Sequence, residues 1–183
     1  MLKTQLQKDF DTGHFQIGAS VLKQLLWYFT DVFFFRSKLI PFSTVLVFLL
    51  RAFGAKIGRE VRIKPGIQIK YPWKLEIGDY SWLADCYIEN LDWVKIGNHC
   101  CISQQAMLMT GNHNYKKTTF DLMISPIILE DGVWIGARAT VCPGLKLHSH
   151  SILSMAGVAV SNLDAYGIYQ GNPAVKIRDR IIL

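Results

Sequence analysis

The sequence predicts a mainly β chain wound as a parallel β-helix, entered through a helical extension and interrupted by one protruding loop. Three observations predict this. Aliphatic residues recur every six positions from Ile57 onward. An apolar, aromatic stretch of helical character precedes them over 20–54. The six-residue period vanishes once, over 113–126.

Composition sets the frame for these elements. The chain has 183 residues, 50% hydrophobic and 19% charged, with a formal net charge of +6. That is one domain's length with enough apolar surface for a core, which excludes disordered and collagen-like chains. Residues 1–56 carry seven Lys/Arg against Asp9, Asp11 and Asp31, while the other 127 carry thirteen against eleven. A basic excess on an apolar third suits a membrane surface, and no nucleic-acid motif or basic run follows it. Cys86, Cys100, Cys101 and Cys142 form no C-x-x-C pair. A reduced, cytoplasmic setting is therefore expected. The polar start MLKTQLQKDFDTGHF predicts no signal peptide.

After a polar segment at 1–19, residues 20–54 read as helix. Pro41 divides it, because proline removes a helical hydrogen bond and clashes with the preceding turn. Ser43 or Thr44 is placed to cap the second piece, and Gly54 to end it. A membrane span needs about 20 apolar residues. The longest uncharged run of this segment, Leu39 to Leu50, has 12 and contains Pro41. Such helices either lie on a membrane surface or pack against the domain or another subunit.

Residues 55–160 form the coil. Steps of six connect Ile57, Ile63, Ile69 and Leu75, then Ile77 and Leu83, and then Ile96, Ile102 and Leu108. The longest run is Leu129, Ile135, Val141, Leu147 and Leu153. A period of six fits neither a helix nor a lone strand. It fits short strands alternating with turns, each aliphatic residue stacking on the one below. Val61, Ile67, Val133, Ala139 and Leu145, four places on, supply a second inward position. A tail at 161–183 completes the chain.

The breaks locate function. Between Leu83 and Ile96 the register slips through polar residues that include Asp85, Asn90 and Asp92. The nonrepeating stretch after His113 predicts a projecting loop, and long loops in compact domains usually carry function. His113 stands at its root, where a histidine serves as a general base or lies idle on the surface. His148 and His150 have the spacing of a metal pair but lack a clear third ligand, which favours turn histidines. Cys100 falls on an inward position and reads as a buried, inert thiol.

The residues also resemble a known family. The repeats look like the left-handed β-helix of hexapeptide-repeat acyltransferases. TGNHNY is similar to the histidine element of maltose, galactoside and colanic-acid-biosynthesis type O-acetyltransferases. ILEDGVWIGARATVCPGLKL resembles their signature repeat, and YQGNPAVKIRDR resembles their terminal segment. FGAKIG followed by IKYPWKLEIGDYSWL is most similar to the colanic-acid branch.

The resemblance implies a homotrimer with sites between subunits and direct acetyl transfer from acetyl-CoA to a sugar hydroxyl, without a metal, in exopolysaccharide or surface-glycan assembly. By position, His113 is the base, and Ala137 and Met155 meet the co-substrate. Lys176 and Arg178 either hold the CoA phosphates or form an exposed basic tail. Asp85, Asn90 and Asp92 either bind the acceptor or are solvated turn residues, and Trp82 and Trp93 are placed to stack on a sugar. Two departures bear on the CoA contacts: Val160-Ser161 stands where Thr-Lys is usual, and Met155-Ala156 where Ala-Gly is usual. Two other classes use the same coil, namely a metal hydratase of the γ-carbonic-anhydrase type and a non-catalytic scaffold.

Overall fold

A computed structural model describes residues 3–6 and 8–183; Met1, Leu2 and Gln7 of the polar segment lie outside the described residues. From Lys56 the chain winds as a parallel β-helix with three faces. β1 (Lys56–Ile57), β2 (Arg62–Ile63) and β3 (Gln68–Ile69) form the first coil. β4 (Leu75–Ile77), β5 (Trp82–Leu83) and β6 (Tyr87–Glu89) form the second, and β7 (Val94–Ile96), β8 (Cys101–Ile102) and β9 (Met107–Met109) the third. A hairpin, β10 (Gly111–His113) and β11 (Leu122–Ile124), then leaves the coil.

The fourth coil is β12 (Ile127–Leu129), β13 (Trp134–Ile135) and β14 (Thr140–Val141). The fifth is β15 (Lys146–Leu147), β16 (Ile152–Leu153) and β17 (Val158–Ala159). β18 (Gly167–Gly171) adds a sixth strand to the second face, and β19 (Ala174–Asp179) folds back antiparallel on it.

The six-residue step is the passage from one face to the next. On the first face Ile57, Ile77, Ile96, Leu129 and Leu147 are in parallel register. On the second, Ile63, Leu83, Ile102, Ile135, Leu153 and Tyr169 align. Ile69, Ile88, Leu108, Val141 and Ala159 align on the third. All are buried except half-buried Ile57, so the three columns make one continuous apolar core. No coil could bury its inner face alone, which is why the fold needs the repeat.

At the corner between the first and second faces, side chains replace missing backbone partners. Asp79 accepts the Arg59 N–H, Asn98 accepts that of Asp79, and Asp131 accepts that of Asn98, each at 2.8 Å. Coils approach closely there, and a Cβ on Gly97 would lie 2.8 Å from the Asp131 nitrogen. The third corner, from third face back to first, is the enlarged one. Pro72–Lys74 forms a short 3-10 turn there, Asn90 to Trp93 fill it one coil up, and the hairpin leaves from it in the third coil.

The helical extension closes the lower end of the coil. α1 (Val21–Thr30) passes through a π-helical turn at Asp31–Arg36, and α2 (Ser43–Ala52) follows the expected break at Pro41. Gly54, at φ +100°, follows α2 as expected. Ser43 does not cap its helix. Its hydroxyl accepts the Ile63 N–H at 2.8 Å, which ties α2 to the first coil.

Trp27, Phe35, Leu46, Val47 and Leu50 join the coil's core, and the Trp27 indole donates to the Ile69 carbonyl at 3.1 Å. The outer face of the same helices is apolar and open: Leu22, Leu25, Phe29, Phe33 and Phe48 are each more than half exposed. No helix among the described residues is long and apolar enough to cross a membrane.

Candidate active site

The site grows from the third corner. Thr110 is fully buried; its hydroxyl donates to the Glu89 carbonyl at 2.8 Å and accepts the Asp92 N–H at 3.0 Å. That pins the point where β10 leaves the coil. The expected projecting loop is a paired hairpin, with Gly111 opposite Ile124 and His113 opposite Leu122. Its tip is closed by the Asn114 N–H on the Asp121 carbonyl at 2.8 Å and by Lys117 on the Asp121 carboxylate at 2.6 Å. The Lys117 ammonium holds the Asp121 carboxyl below the usual carboxylate range.

His113 is held on two sides. Its Nδ1 lies 2.8 Å from the Phe120 carbonyl, and its ring stacks on the Phe120 ring at 4.5 Å with an 8° tilt. A carbonyl oxygen only accepts, so the neutral imidazole keeps its hydrogen on Nδ1 and presents a lone pair at Nε2. Phe120 holds φ at +55°, a left-handed conformation costly for a bulky residue, and the hairpin and stack maintain it.

The polar N-terminal segment is a strap across this hairpin. The Leu122 N–H donates to the Asp11 carbonyl at 2.9 Å, the Asp11 N–H to Asp121 at 3.3 Å, and the Gln5 N–H to the Thr118 carbonyl at 2.7 Å. Phe10 lies 6.2 Å from the His113 ring. Farther along, Phe15 stacks on Tyr71, the Trp73 indole donates to the Ile17 carbonyl at 2.6 Å, and Lys74 donates to the carbonyls of Gln16 and Leu91. His14 Nε2 stands 4.0 Å from an Asp92 carboxylate oxygen. Sequence reasoning missed this strap, because it is held through backbone carbonyls that any residue type offers. The sequence signals it leaves are Gly13 and Gly18, which turn the strap at φ +58° and +76°.

The three acceptor candidates separate. Asp92 is half-buried at the third corner, on the His113 side. Asn90 is wholly buried in the same corner: its amide donates to the carbonyls of Tyr71 at 2.6 Å and Lys74 at 3.2 Å and accepts the Tyr71 N–H at 2.9 Å. It holds a turn, and burial removes it from any ligand. Asp85 is at the second corner, between second and third faces, with Lys38 at 4.0 Å. Trp82 and Trp93 also part. Trp82 lies on the second face, whereas Trp93 has Lys56 and Lys95 over its ring on the first.

Two of the co-substrate candidates, Ala137 and Met155, meet at the second corner. The Ala156 N–H donates to the Ala137 carbonyl at 2.9 Å, which sets Ala137 and Met155 in successive coils on one edge. A Cβ on the neighbouring Gly136 would lie 2.5 Å from the Met155 nitrogen, so the two coils touch there. Trp134, 45% exposed, donates to Ser103 at 3.0 Å beside this edge.

Lys176 and Arg178 do not act as a pair. A bulge between Ile168 and Tyr169 sets Lys176 opposite buried Tyr169 and Arg178 opposite Ile168, and cross-strand partners share a face. Lys176 is paired with Asp179 at 2.8 Å, while Arg178 takes the outer side of the second face.

The remaining histidines and thiols have local partners. His148 Nδ1 lies 3.4 Å from Glu130, and the His150 ring stands 4.8 Å from that of Tyr166. Among the described residues no three His, Cys, Asp or Glu side chains cluster as a metal site requires. Burial pushes the Cys86 thiol up to about 12 and that of Cys100 to about 11, which makes both poor nucleophiles.

Glu130 accepts from Lys146 at 2.7 Å and from the Ser149 N–H at 2.9 Å, and its carboxyl is lowered to about 2. An unfolded glutamate titrates near ~4.3. Its stabilising contribution is therefore complete above that value and lost as the pH falls through the folded value. Thermal unfolding is expected to show Glu130→Gln less stable than wild type at pH 7 and indistinguishable from it once wild-type Glu130 is protonated. A gap that persists there contradicts the assignment.

A coil of stacked hexapeptides, a histidine hairpin and a small-residue edge at the second corner define a class. The chain belongs to the hexapeptide-repeat acetyltransferases. Within that class it is 34% identical over 165 residues to WcaF of Escherichia coli K12, assigned as a colanic acid biosynthesis acetyltransferase, with 90% of this chain and 91% of that protein covered.

Two solved structures share the fold. The hexapeptide-repeat acetyltransferase VCA0836 of Vibrio cholerae, complexed with acetyl-CoA, matches with a TM-score of 0.81 at 19% identity over 93% of this chain and 95% of that one. A maltose O-acetyltransferase of Clostridium difficile 630 matches with a TM-score of 0.79 at 18% identity over 88% of each. No family model matches the chain.

Proposed function

We propose that the protein transfers an acetyl group from acetyl-CoA to a sugar hydroxyl, in exopolysaccharide or surface-glycan assembly. The observation that carries the reading is the Nδ1 contact of His113 with the Phe120 carbonyl, which makes Nε2 the nitrogen left to accept a proton. Acetyl-CoA supplies a thioester carbonyl. Nε2 accepts the proton of the acceptor hydroxyl as its oxygen bonds to that carbonyl carbon. When the carbon–sulfur bond breaks, the imidazolium returns the proton to the departing sulfur.

Asp92, beside the hairpin root, orients a neighbouring hydroxyl. Ala137 and Met155 line the co-substrate, and Arg178 meets its phosphates. The assay is thiol release from acetyl-CoA across a panel of sugars and glycans. Release that depends on a sugar is expected; no release with any acceptor sinks the reading.

The geometry supports a homotrimer. His113 leaves the third corner and Ala137 marks the second, so the whole third face lies between them in one chain. A six-residue step along an extended face is on the order of 15–20 Å, too far for a hydroxyl bridging both. A neighbouring copy brings its second corner to this hairpin and completes the site.

The open apolar face of the helices, with Lys23, Arg36, Lys38 and Arg51 on the same elements, supports peripheral contact with an anionic membrane. The variant Leu25→Glu/Phe29→Glu/Phe48→Glu is expected to lose co-sedimentation with phosphatidylglycerol vesicles. Unchanged sedimentation rejects the contact, and a change in oligomeric state instead assigns the face to assembly.

A further inference from the structure

Three neighbouring cavities follow one another along the second face as a segmented groove, each sharing wall residues with the next. The lowest, of about 400 Å³, lies between α2 and the first coil and is lined by Phe48, Arg51 and Arg62. It shares Glu60 and Arg62 with the next, of about 430 Å³, which is walled by Tyr80, Trp82 and His99. That one shares Arg62, Trp82 and Cys101 with a third, of about 290 Å³, which reaches Lys64, Ser103 and Gln104 at the second corner. The Arg138 N–H donates to the Gln104 carbonyl at 2.9 Å, so the groove ends directly beneath Ala137.

The chemistry changes in order along its length. Phe48, 68% exposed, opens the groove from the apolar outer face of the helices. Arg51 follows one turn on, its guanidinium anchored on the carbonyls of Ile57 and Gly58 at 2.7–3.2 Å. Arg62 stands over the Trp82 ring at 4.9 Å, and among the described residues it makes no ion pair. With Lys64 these are three cations against the carboxylate of Glu60. Beyond them stand Tyr80, stacked on His99 at 5.1 Å, and Trp82, both about half exposed.

We propose that this groove binds an acceptor glycan joined through a phosphate or diphosphate to a lipid tail. The tail runs onto the apolar helical face, the phosphate meets Arg51 and Arg62, and the first sugars lie on Tyr80 and Trp82. The glycan then reaches the second corner from below, while the co-substrate edge at Ala137 and Met155 approaches it from above. The inference rests on the acetyl-transfer reading and gives its acceptor a chemical class.

The test is calorimetric titration of the full chain with farnesyl diphosphate, with inorganic diphosphate and with phosphatidylglycerol vesicles. Farnesyl diphosphate is expected to bind at least about tenfold more tightly than inorganic diphosphate, and Arg62→Ala to weaken it by about tenfold or more. Lys146→Ala, on the first face, leaves it unchanged. Equal effects of the two variants, or no binding, overturn the proposal. Vesicle binding alone, insensitive to Arg62, assigns the cations to the membrane and also overturns it. None of these titrations uses acetyl-CoA, so thiol release without groove binding rejects the groove alone, and binding without release rejects the reaction alone.

Discussion

Replacing His113 with alanine is expected to lower kcat for thiol release by about 10²–10⁴-fold, the range set by removing a positioned general base. On the proposed mechanism the KM for acetyl-CoA changes little, because most of its binding contacts are assigned to the Ala137–Met155 edge and Arg178 rather than to His113. Its ring stacks on Phe120 at the surface of a hairpin, outside the three core columns, so the unfolding temperature stays near that of wild type. Steady-state kinetics with a sugar acceptor, alongside a melting curve, reads all three quantities. A kcat within about threefold of wild type, from a folded variant, removes His113 from proton transfer.

Mixed assembly has the next largest expected effect. His113→Ala destroys the hairpin side of a site, and Ala137→Trp fills the co-substrate edge while leaving the hairpin whole. Each variant alone is inactive. If a site takes its histidine from one copy and its edge from a neighbour, trimers that contain both variants recover about a third of wild-type activity, because one of their three interfaces pairs an intact hairpin with an intact edge. If one chain held both halves, the mixture would stay as inactive as its parts. Co-expression of two tagged variants, tandem purification and the thiol assay separate the outcomes.

The coil was legible because its period is enforced by burial. Each face contributes an inward residue to a column packed above and below, so Ile57, Ile63, Ile69 and their successors had to be aliphatic wherever the coil continued. His113 was legible for the opposite reason: it stands where that constraint lapses. Ala137 and Met155 came from the resemblance, and their separation of eighteen residues is the length of one coil in the structure. The strap was not legible, since Asp11 and Gln5 hold the hairpin through backbone groups that leave no side-chain signature. Nor was the parting of Lys176 from Arg178, which depends on one bulge in the last strand pair. Asn90 and Asp92 look alike as polar residues in a register slip, yet burial makes one a turn clamp and leaves the other in reach of a ligand.

The sequence by itself determined that this chain is a parallel β-helix of six-residue steps with a histidine at its main interruption. A repeating requirement for buried aliphatic side chains is written in every coil, and a break in it is visible without coordinates. Only the tertiary structure decided which polar residues share a corner, which nitrogen of His113 faces the Phe120 carbonyl, and that His113 and the Ala137–Met155 edge lie at opposite ends of one face. Those outcomes turn on contacts between residues distant along the chain, made largely by backbone carbonyls and amides, and the order of side chains does not record them.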